Sequence, residues 1–391
     1  MTRIAVLSDL HPVRSSDTEA SFFVVDKPED SSSSPVDAIF KLIESEQLSV
    51  DVLICAGDIG NRGCPEKFKY GWQFLNNLKE KLGAELLVAV PGNHDHDSRY
   101  NHSKYDPKYN LQRITPSFPC YEDSLNTHFW AWHYVTREFN NISFHLLNTS
   151  AFHGINTETK HGRISELTTE RLIFNVNQVD DISDEKINII VCHHHPFALD
   201  RINYKDYEAM DGGHELINEI ESSNKSNWMF IHGHLHFPRV VYGHAQGTQG
   251  PLIFSAGSFS GPLDPEYHKD IANQFYILDI EDIDEKNLDL RGTFRSWDWH
   301  PSAGWKLAVS EGGLPANGGF GFKGSIKKIC KEIESLFVDK IELDSFEIYR
   351  GIPELKYVTP KDLVAIKSIL EKNGVDLEIE YGLIKTAGRM R

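Results

Sequence analysis

The chain has 391 residues, of which 40% are hydrophobic and 25% charged, as expected of a soluble globular protein with one large core. Its formal net charge of −17 argues against extended contact with nucleic acid, because an acidic surface repels a polyanion. No apolar run is long enough to cross a bilayer, and the amino terminus has no secretory signal, so we expect neither membrane insertion nor secretion.

The cysteines point to a reducing compartment. They are odd in number, scattered and without a C-x-x-C pair: Cys55, Cys64, Cys120, Cys192 and Cys330. That pattern favours free thiols over a disulfide framework or a thiolate zinc site. We therefore expect a cytoplasmic protein.

Short apolar runs predict buried strands that alternate with amphipathic helices. The strand-like runs are, in chain order, Ile4–Leu7, Val52–Ala56, Leu86–Val90, Ile142–Leu147, Ile187–Cys192, Trp228–Ile231, Leu252–Ser255 and Phe275–Ile280. Pro35–Glu46 and Pro65–Leu82 place their apolar residues on one helical face. Uninterrupted apolar strands are typical of sheets covered on both faces, so the alternation predicts a layered α/β domain.

The last part of the chain predicts a separate unit. We interpret residues 1–309 as the main domain, the glycine-rich residues 310–322 as a linker, and residues 323–391 as a small α+β module of unknown role. Within the module, Phe346–Tyr349 and Leu355–Val358 look like strands. The module carries 13 basic and 12 acidic residues, so the net charge of the first 322 residues is −18.

Five polar clusters directly follow apolar strand-like runs. They are Ser8-Asp9-Leu10-His11, Gly57-Asp58, Gly92-Asn93-His94-Asp95, His193-His194-His195-Pro196 and Gly233-His234-Leu235-His236. Sites in open α/β sheets form at the carboxyl ends of strands, so these five clusters predict one shared pocket.

The residue types in these clusters predict a metal site. Imidazole, carboxylate and amide ligands without a thiolate suit manganese, iron or zinc. In Asp9-x-His11 and His234-x-His236 two ligands are two residues apart, so their side chains leave a strand end on the same face. Gly57, Gly92 and Gly233 permit tight turns where the backbone must come close to an ion.

The ordered blocks D-x-H, G-D, G-N-H-D, H-x-P and G-H-x-H resemble the calcineurin-like metallophosphoesterase superfamily. The arrangement is most similar to class III cyclic-nucleotide phosphodiesterases and related small-molecule diesterases. The resemblance extends from Asp9 to His236 and continues to the strand that ends near Ile280, but it does not cover the C-terminal module. It implies a four-layer α/β/β/α sandwich in which residues 1–309 form the catalytic domain.

The resemblance also implies roles for individual residues. The first metal would be held by Asp9, His11 and His236, the second by Asn93, His194 and His234, and Asp58 would bridge the two. The family pattern places the fourth-block ligand two residues before Pro196, which selects His194, although His193 and His195 are adjacent alternatives. His94 would contact the phosphate, and Asp95 would orient His94.

These roles predict hydrolysis of a phosphodiester, or of a phosphomonoester, by a hydroxide that two metal ions share. A small phosphorylated molecule such as a cyclic nucleotide is the first substrate class. One alternative is a nuclease of the same superfamily, which the acidic charge disfavours. Another is an effector phosphoesterase that the C-terminal module recruits to a protein partner or joins into a homodimer.

Overall fold

The computed structural model describes residues 1–26, 34–154, 161–178, 186–197, 209–223, 227–244, 249–282, 289–338 and 340–390. The strands are β1 Thr2–Leu7, β2 Val52–Cys55, β3 Leu86–Ala89, β4 Tyr134–Phe139, β5 Ile142–Leu147, β6 Ile187–Val191, β7 Trp228–His232, β8 Arg239–His244, β9 Gln249–Ser255, β10 Gln274–Ile280, β11 Gly292–His300, β12 Gly304–Leu307, β13 Asn317–Phe320, β14 Glu342–Asp344, β15 Val375–Glu380 and β16 Leu383–Arg389. The α-helices are α1 Pro35–Glu46, α2 Pro65–Leu82, α3 Tyr109–Gln112, α4 Asp123–Trp132, α5 Glu166–Asn177, α6 Gly213–Ser222, α7 Ile326–Ser335, α8 Ser345–Gly351 and α9 Pro360–Lys372.

Two mixed sheets form the main domain. The first has the order β12-β11-β10-β1-β2-β3, with β13 also paired to β11, and the second has the order β4-β5-β6-β7-β9-β8. In the first sheet β1, β2 and β3 are parallel, and in the second β5, β6, β7 and β9 are parallel. The parallel strands of each sheet therefore end at a common edge.

The side-chain alternation of each strand divides the apolar residues between layers. In β1, Ile4 and Val6 pack in a core between the two sheets, whereas Ala5 and Leu7 pack against α1 and α2 on the outer face. The second sheet repeats this division, because Ile189 faces the inter-sheet core and Ile190 faces α5 and α6. This arrangement is the predicted four-layer α/β/β/α sandwich, with helices covering both sheets.

The segment predicted as a linker contains part of the first sheet. Asn317–Phe320 forms β13 and pairs antiparallel with β11. Its glycines allow close packing, because a Cβ added to Gly319 would lie 2.1 Å from the carbonyl oxygen of Lys356 and one added to Gly318 would lie 2.4 Å from the Phe294 ring. The glycines that suggest a linker in the sequence are therefore required in the structure, where they let β13 pack closely against Phe294 and Lys356.

The C-terminal module is an α+β unit with its own core. Its sheet has the order β14-β16-β15, and its apolar residues form a cluster separate from those of the main domain. Two strands predicted there are instead helical. Phe346–Tyr349 lies in α8, which a capping box between Asp344 and Glu347 starts, and most of Leu355–Val358 lies in a 3₁₀ helix, Pro353–Tyr357.

The module contacts the main domain through a small polar group. The carboxylate of Glu281, just after β10, lies 3.0 Å from Nζ of Lys356 and accepts a hydrogen bond from the hydroxyl of Tyr357. The guanidinium of Arg291 packs over the Tyr357 ring. Among the helices that the structure describes, none is both long and apolar enough to cross a membrane.

Candidate metal centre

All five polar clusters lie at the carboxyl ends of parallel strands, as the sequence predicts. Asp9 and His11 follow β1, Asp58 follows β2 and Asn93 follows β3, all in the first sheet. The histidine run that begins at His193 follows β6, and His234 and His236 follow β7, both in the second sheet. The two sheets thus bring the clusters together at one edge of the sandwich.

The backbone at this edge adopts a conformation that side chains rarely allow. Five residues have positive φ angles: Asp9 at 58°, His11 at 45°, Asp58 at 50°, His234 at 75° and His236 at 56°. For residues other than glycine this left-handed conformation costs of the order of 1 kcal/mol or more each, and such strain concentrates at functional sites. Holding these five side chains in position therefore lowers the stability of the folded domain.

Two glycines permit the close approach of neighbouring clusters. A Cβ on Gly92 would lie 2.1 Å from Oδ1 of Asp58, and one on Gly233 would lie 1.9 Å from Oγ of Ser8. Any side chain there would push the third cluster away from the second, or the fifth away from the first. The expectation that these glycines serve close contact agrees with this geometry.

The first group of possible ligands contains Asp9, His11 and His236, whose ligand atoms lie within 4.8 Å of one another. Nε2 of His236 is 3.2 Å from Oδ1 of Asp9, and Nε2 of His11 is 3.6 Å from the same oxygen. Nδ1 of His236 donates a hydrogen bond of 3.2 Å to the carbonyl of Pro262. That bond leaves Nε2 of His236 as the nitrogen available to a metal ion.

The second group centres on Asp58 and His193. Nε2 of His193 lies 3.3 Å from Oδ2 of Asp58 and 3.1 Å from Oδ1 of Asn93, while its Nδ1 donates to the carbonyl of Ala56 at 2.8 Å. Nε2 of His11 is 3.4 Å from the same Oδ2 of Asp58. The Asp58 carboxylate therefore lies between the two groups.

His194 lies beside this second group. It forms a cluster with His193 and His234 whose ligand atoms are within 4.8 Å of one another. Its Nδ1 is 2.8 Å from Oγ1 of Thr149, and its Nε2 is buried without a hydrogen-bond partner among the described residues. His195, the third member of the run, belongs to none of the clusters of possible ligands found among the described residues.

His94 and Asp95 follow Asn93, but their contacts differ. Nδ1 of His94 donates to Oδ1 of Asn61 at 3.1 Å, and the His94 ring packs edge-on against His11 with 4.7 Å between centroids. The carboxylate of Asp95 accepts backbone N–H groups of Ile59, Gly60 and Gly92. Asn61 therefore holds His94, and Asp95 holds the second and third clusters together.

The charges at this edge suit cations. Burial opposes ionisation of Asp9 and Asp58, yet the surrounding histidines hold the pKa of each carboxyl well below its usual value. Burial also disfavours protonated histidine, but at His193 the attraction of Asp58 prevails and raises the pKa to about 9. Burial and mutual repulsion hold the pKa values of His194 and His234 well below the ordinary value.

This donor set fits divalent metal ions. Ionised carboxylates, an amide oxygen and imidazole nitrogens converge here from two sheets. Oxygen and nitrogen donors spaced 3.1 to 3.4 Å apart, as around Asp58 and His193, match the separation of neighbouring ligands on one small cation. Asn93, His94, His234 and His236 are partly exposed and form the open side.

Sequence reasoning missed two contacts at this site. Asn61 is buried in the structure. In the sequence its only signal is its position, three residues after Asp58 in the Gly57-Asp58 block. Thr149 follows β5, and no pattern in the sequence links it to His194, because the contact joins two different strand ends.

Comparison with known proteins supports one family. The sequence profile of the calcineurin-like phosphoesterase family matches residues 2–238, more than half of the chain. No curated protein sequence matches this chain significantly.

Solved structures that are similar to this chain include three hydrolases. A dimetal phosphatase from Danio rerio is 14% identical, with 79% of this chain and 99% of that chain covered and a TM-score of 0.49. The phosphopantetheinyl hydrolase from Mycobacterium tuberculosis is 14% identical, with coverage of 66% and 89% and a TM-score of 0.30. A cold-active protein-tyrosine phosphatase from a psychrophilic Shewanella species is 12% identical, with coverage of 79% and 81% and a TM-score of 0.30.

Proposed function

Because this chain belongs to the calcineurin-like phosphoesterase family, we propose that it hydrolyses a small phosphodiester, such as a cyclic nucleotide. Family membership and the clustered ligands support a metal-dependent phosphoesterase with two divalent ions. The observation that carries the metal-dependent hydrolysis is the convergence of Asp9, Asp58 and His193, whose ligand atoms lie within 4.8 Å of one another. Oxygen and nitrogen donors without a thiolate suit manganese, iron or zinc.

The residues would divide between two ions, with Asp58 contributing to both. Asp9, His11 and His236 would hold the first ion, and the Asp58 carboxylate, whose Oδ2 lies near both His11 and His193, would contribute to both ions. We propose that the second ion is held by Asp58, Asn93, His193 and His234. His193 replaces His194 in this proposal, because its Nε2 faces both Asn93 and Asp58 while its Nδ1 is held by Ala56.

The chain's own side chains would position the phosphate. Two bound divalent ions supply an activated water at neutral pH and stabilise negative charge on phosphate oxygens. Because Nδ1 of His94 donates its hydrogen bond to Oδ1 of Asn61, Nε2 of His94 is left for the partly exposed side of the site. In that position His94 would contact a phosphate oxygen or the leaving oxygen. Asn61 takes the orienting role that the family resemblance implies for Asp95.

The thiols support the expected compartment. All five cysteines are free, and Cys55, Cys120, Cys192 and Cys330 are buried. Free thiols in these positions are typical of a reducing environment, so we propose that the activity is cytoplasmic.

A substrate panel tests the proposed activity. The full chain is loaded with Mn²⁺, Fe²⁺ or Zn²⁺ and assayed with bis(p-nitrophenyl) phosphate, 3′,5′-cyclic AMP and p-nitrophenyl phosphate. We expect kcat/KM to be highest for a diester. A preference for the monoester would replace the diesterase proposal with a phosphatase, and no turnover with any metal would overturn both.

The choice between His193 and His194 has its own test. We expect His193→Ala to lose about one metal ion per chain, because it removes a nitrogen aimed at Asn93 and Asp58. His194→Ala, the matched variant in the next position, should keep both ions. Metal content by mass spectrometry and thermal stability of each variant provide the measurement. Loss of an ion from His194→Ala alone would restore the assignment made from the sequence.

A further inference from the structure

An apolar cavity of about 390 Å³ lies beside the proposed metal centre. Phe22, Leu263, Ile271 and Trp299 provide much of its lining, and none of its lining residues carries a charge. Its volume lies within the range of small-molecule sites, and it offers nothing to balance the charge of a second phosphate group. The cavity is therefore suited to an uncharged group.

The topology places this cavity at the same edge as the metal ligands. Phe22 lies in the segment that follows β1, and Trp299 lies near the end of β11. Because β1 pairs antiparallel with β10, and β10 antiparallel with β11, the end of β11 lies at the edge where β1 ends. The cavity thus opens at the edge that carries Asp9 and His11.

One loop forms a wall shared by the cavity and the metal centre. The carbonyl of Pro262, a lining residue, accepts the hydrogen bond from Nδ1 of His236 at 3.2 Å. The N–H of the preceding residue, Gly261, donates to the carbonyl of Asp9 at 3.1 Å. The loop that positions His236 therefore also lines the cavity.

The cavity presents aromatic surface and few free polar groups. The Phe22 and Trp299 rings meet edge-on, with 6.5 Å between centroids and 63° between planes, and Phe22 is 36% exposed. The polar lining side chains already donate elsewhere: Ser21 to the carbonyl of Ser260, and Asn273 to the carbonyls of Ser258 and Gly261. Recognition here would rest on ring contacts, which favour a flat aromatic partner.

From these contacts we infer that the cavity binds an uncharged aromatic ring carried by the phosphoester substrate. This inference rests on the proposed function and deepens it, because it assigns substrate preference to a subsite outside the metal ligands. Phe22 would be the residue that sets this preference, since its ring is the exposed aromatic surface of the cavity. Substrates whose ester group is purely aliphatic would leave the cavity without an aromatic partner.

Calorimetric titration of the Mn²⁺-loaded full chain tests the inference. The ligands are benzylphosphonate and 3-phenylpropylphosphonate, which differ in the reach of the ring, and propylphosphonate, which lacks the ring. We expect one of the aryl ligands to bind about tenfold more tightly than propylphosphonate, a difference of about 1.4 kcal/mol. In Phe22→Ala this advantage should fall to about twofold or less, with the Kd of propylphosphonate unchanged.

Phe174→Ala is the matched control, because Phe174 is 62% exposed on α5 and lies outside the cavity lining. That variant should keep the full advantage of the aryl ligand. Equal binding of aryl and propyl ligands to the wild type, or an advantage that survives Phe22→Ala, would overturn the cavity assignment and leave the metal centre standing. Failure of all three phosphonates to bind would count against the metal centre itself and against the cavity with it.

Discussion

Asp58 is the residue whose contacts join the two groups of possible ligands. One of its carboxylate oxygens accepts the backbone N–H of His94 at 2.8 Å, and the other lies near His193 and His11. Its φ of 50° shows that the turn after β2 is strained to hold it there. A single side chain thus contacts the first, third and fourth clusters.

Asp58→Asn should therefore lose metal as well as rate. An amide has no negative charge and binds cations more weakly than a carboxylate, so we expect a loss of at least one ion and a fall in kcat of more than about 100-fold. Metal analysis and steady-state kinetics measure the two effects. His94→Ala is the comparison, because the proposed role of His94 is to contact phosphate, and this variant should keep both ions bound. Full metal occupancy in Asp58→Asn would refute the bridging role.

His145 is a buried histidine of β5 that belongs to none of the clusters of possible ligands among the described residues. Its Nδ1 is 2.9 Å from Oγ1 of Thr136 and its Nε2 is 3.1 Å from Oδ1 of Asn188, a pattern that the neutral ring satisfies at both nitrogens. The ring also packs against Trp228. Burial lowers the pKa of His145 to about 4 from its ordinary value of 6.5.

The sign of the resulting pH dependence follows from proton uptake. Between the two pKa values the unfolded chain binds a proton that the folded chain does not, so stability falls as the pH drops below 6.5. For this one residue the loss from pH 7 to pH 5 is about 2 kcal/mol. In His145→Gln, denaturant unfolding at the two pH values should show a smaller difference by about that amount. The exposed variant His214→Gln should match the wild type.

Strand β13 shows how an element can depend on glycine. It lies between β11 and the 3₁₀ helix of the C-terminal module, and the backbone of Lys356 and Tyr357 presses directly on Gly319. The strand therefore attaches the module to the first sheet through backbone contact.

Gly319→Ala should destabilise the chain by about 2 kcal/mol, because the new methyl group must displace backbone atoms. The expected result is a lower Tm in thermal unfolding. Gly388→Ala, in strand β16, is the matched control, because its Cβ would meet nothing nearer than the carbonyl of Ile341 at 3.9 Å. We expect that variant to stay within about 0.5 kcal/mol of the wild type. Equal Tm values for both variants would contradict the prediction, because they would mean that the backbone of Lys356 moves aside at little cost in free energy.

At the scale of the whole molecule, charge is the property that bears on the choice of substrate. The net charge of −17 repels long polyanions at a distance, and screening by salt weakens that repulsion. A small diester carries little charge and is affected much less. The overall charge therefore favours small substrates over nucleic acid.

We expect the Mn²⁺-loaded chain to cleave single- and double-stranded DNA more slowly than bis(p-nitrophenyl) phosphate. Lowering the ionic strength should slow DNA cleavage further, the opposite of the behaviour of a basic nuclease. Initial rates at two salt concentrations measure this difference. DNA cleavage that is faster than diester hydrolysis and rises as salt is removed would favour the nuclease alternative.

The sequence by itself determined the layered fold and the edge at which the site forms. Apolar runs such as Ile4–Leu7 became strands, and helices α1 and α2 have the predicted bounds, because burial patterns and terminal prolines are local signals. Each polar cluster comes directly after one of these strands in the chain. Because parallel strands end at the same edge of a sheet, predicting the strands was enough to predict that the clusters meet.

Only the tertiary structure decided contacts between different strand ends. His193, His194 and His195 are chemically equal in the sequence, and they differ only in which residues face them across the two sheets. Tertiary contacts also decided that Asn61 is the hydrogen-bond partner of His94. In the same way, packing against the backbone of Lys356 decided that the predicted linker contains strand β13. Neighbours that are distant in sequence leave no periodic signal, because their selection depends on distances that exist only after the sheets have packed.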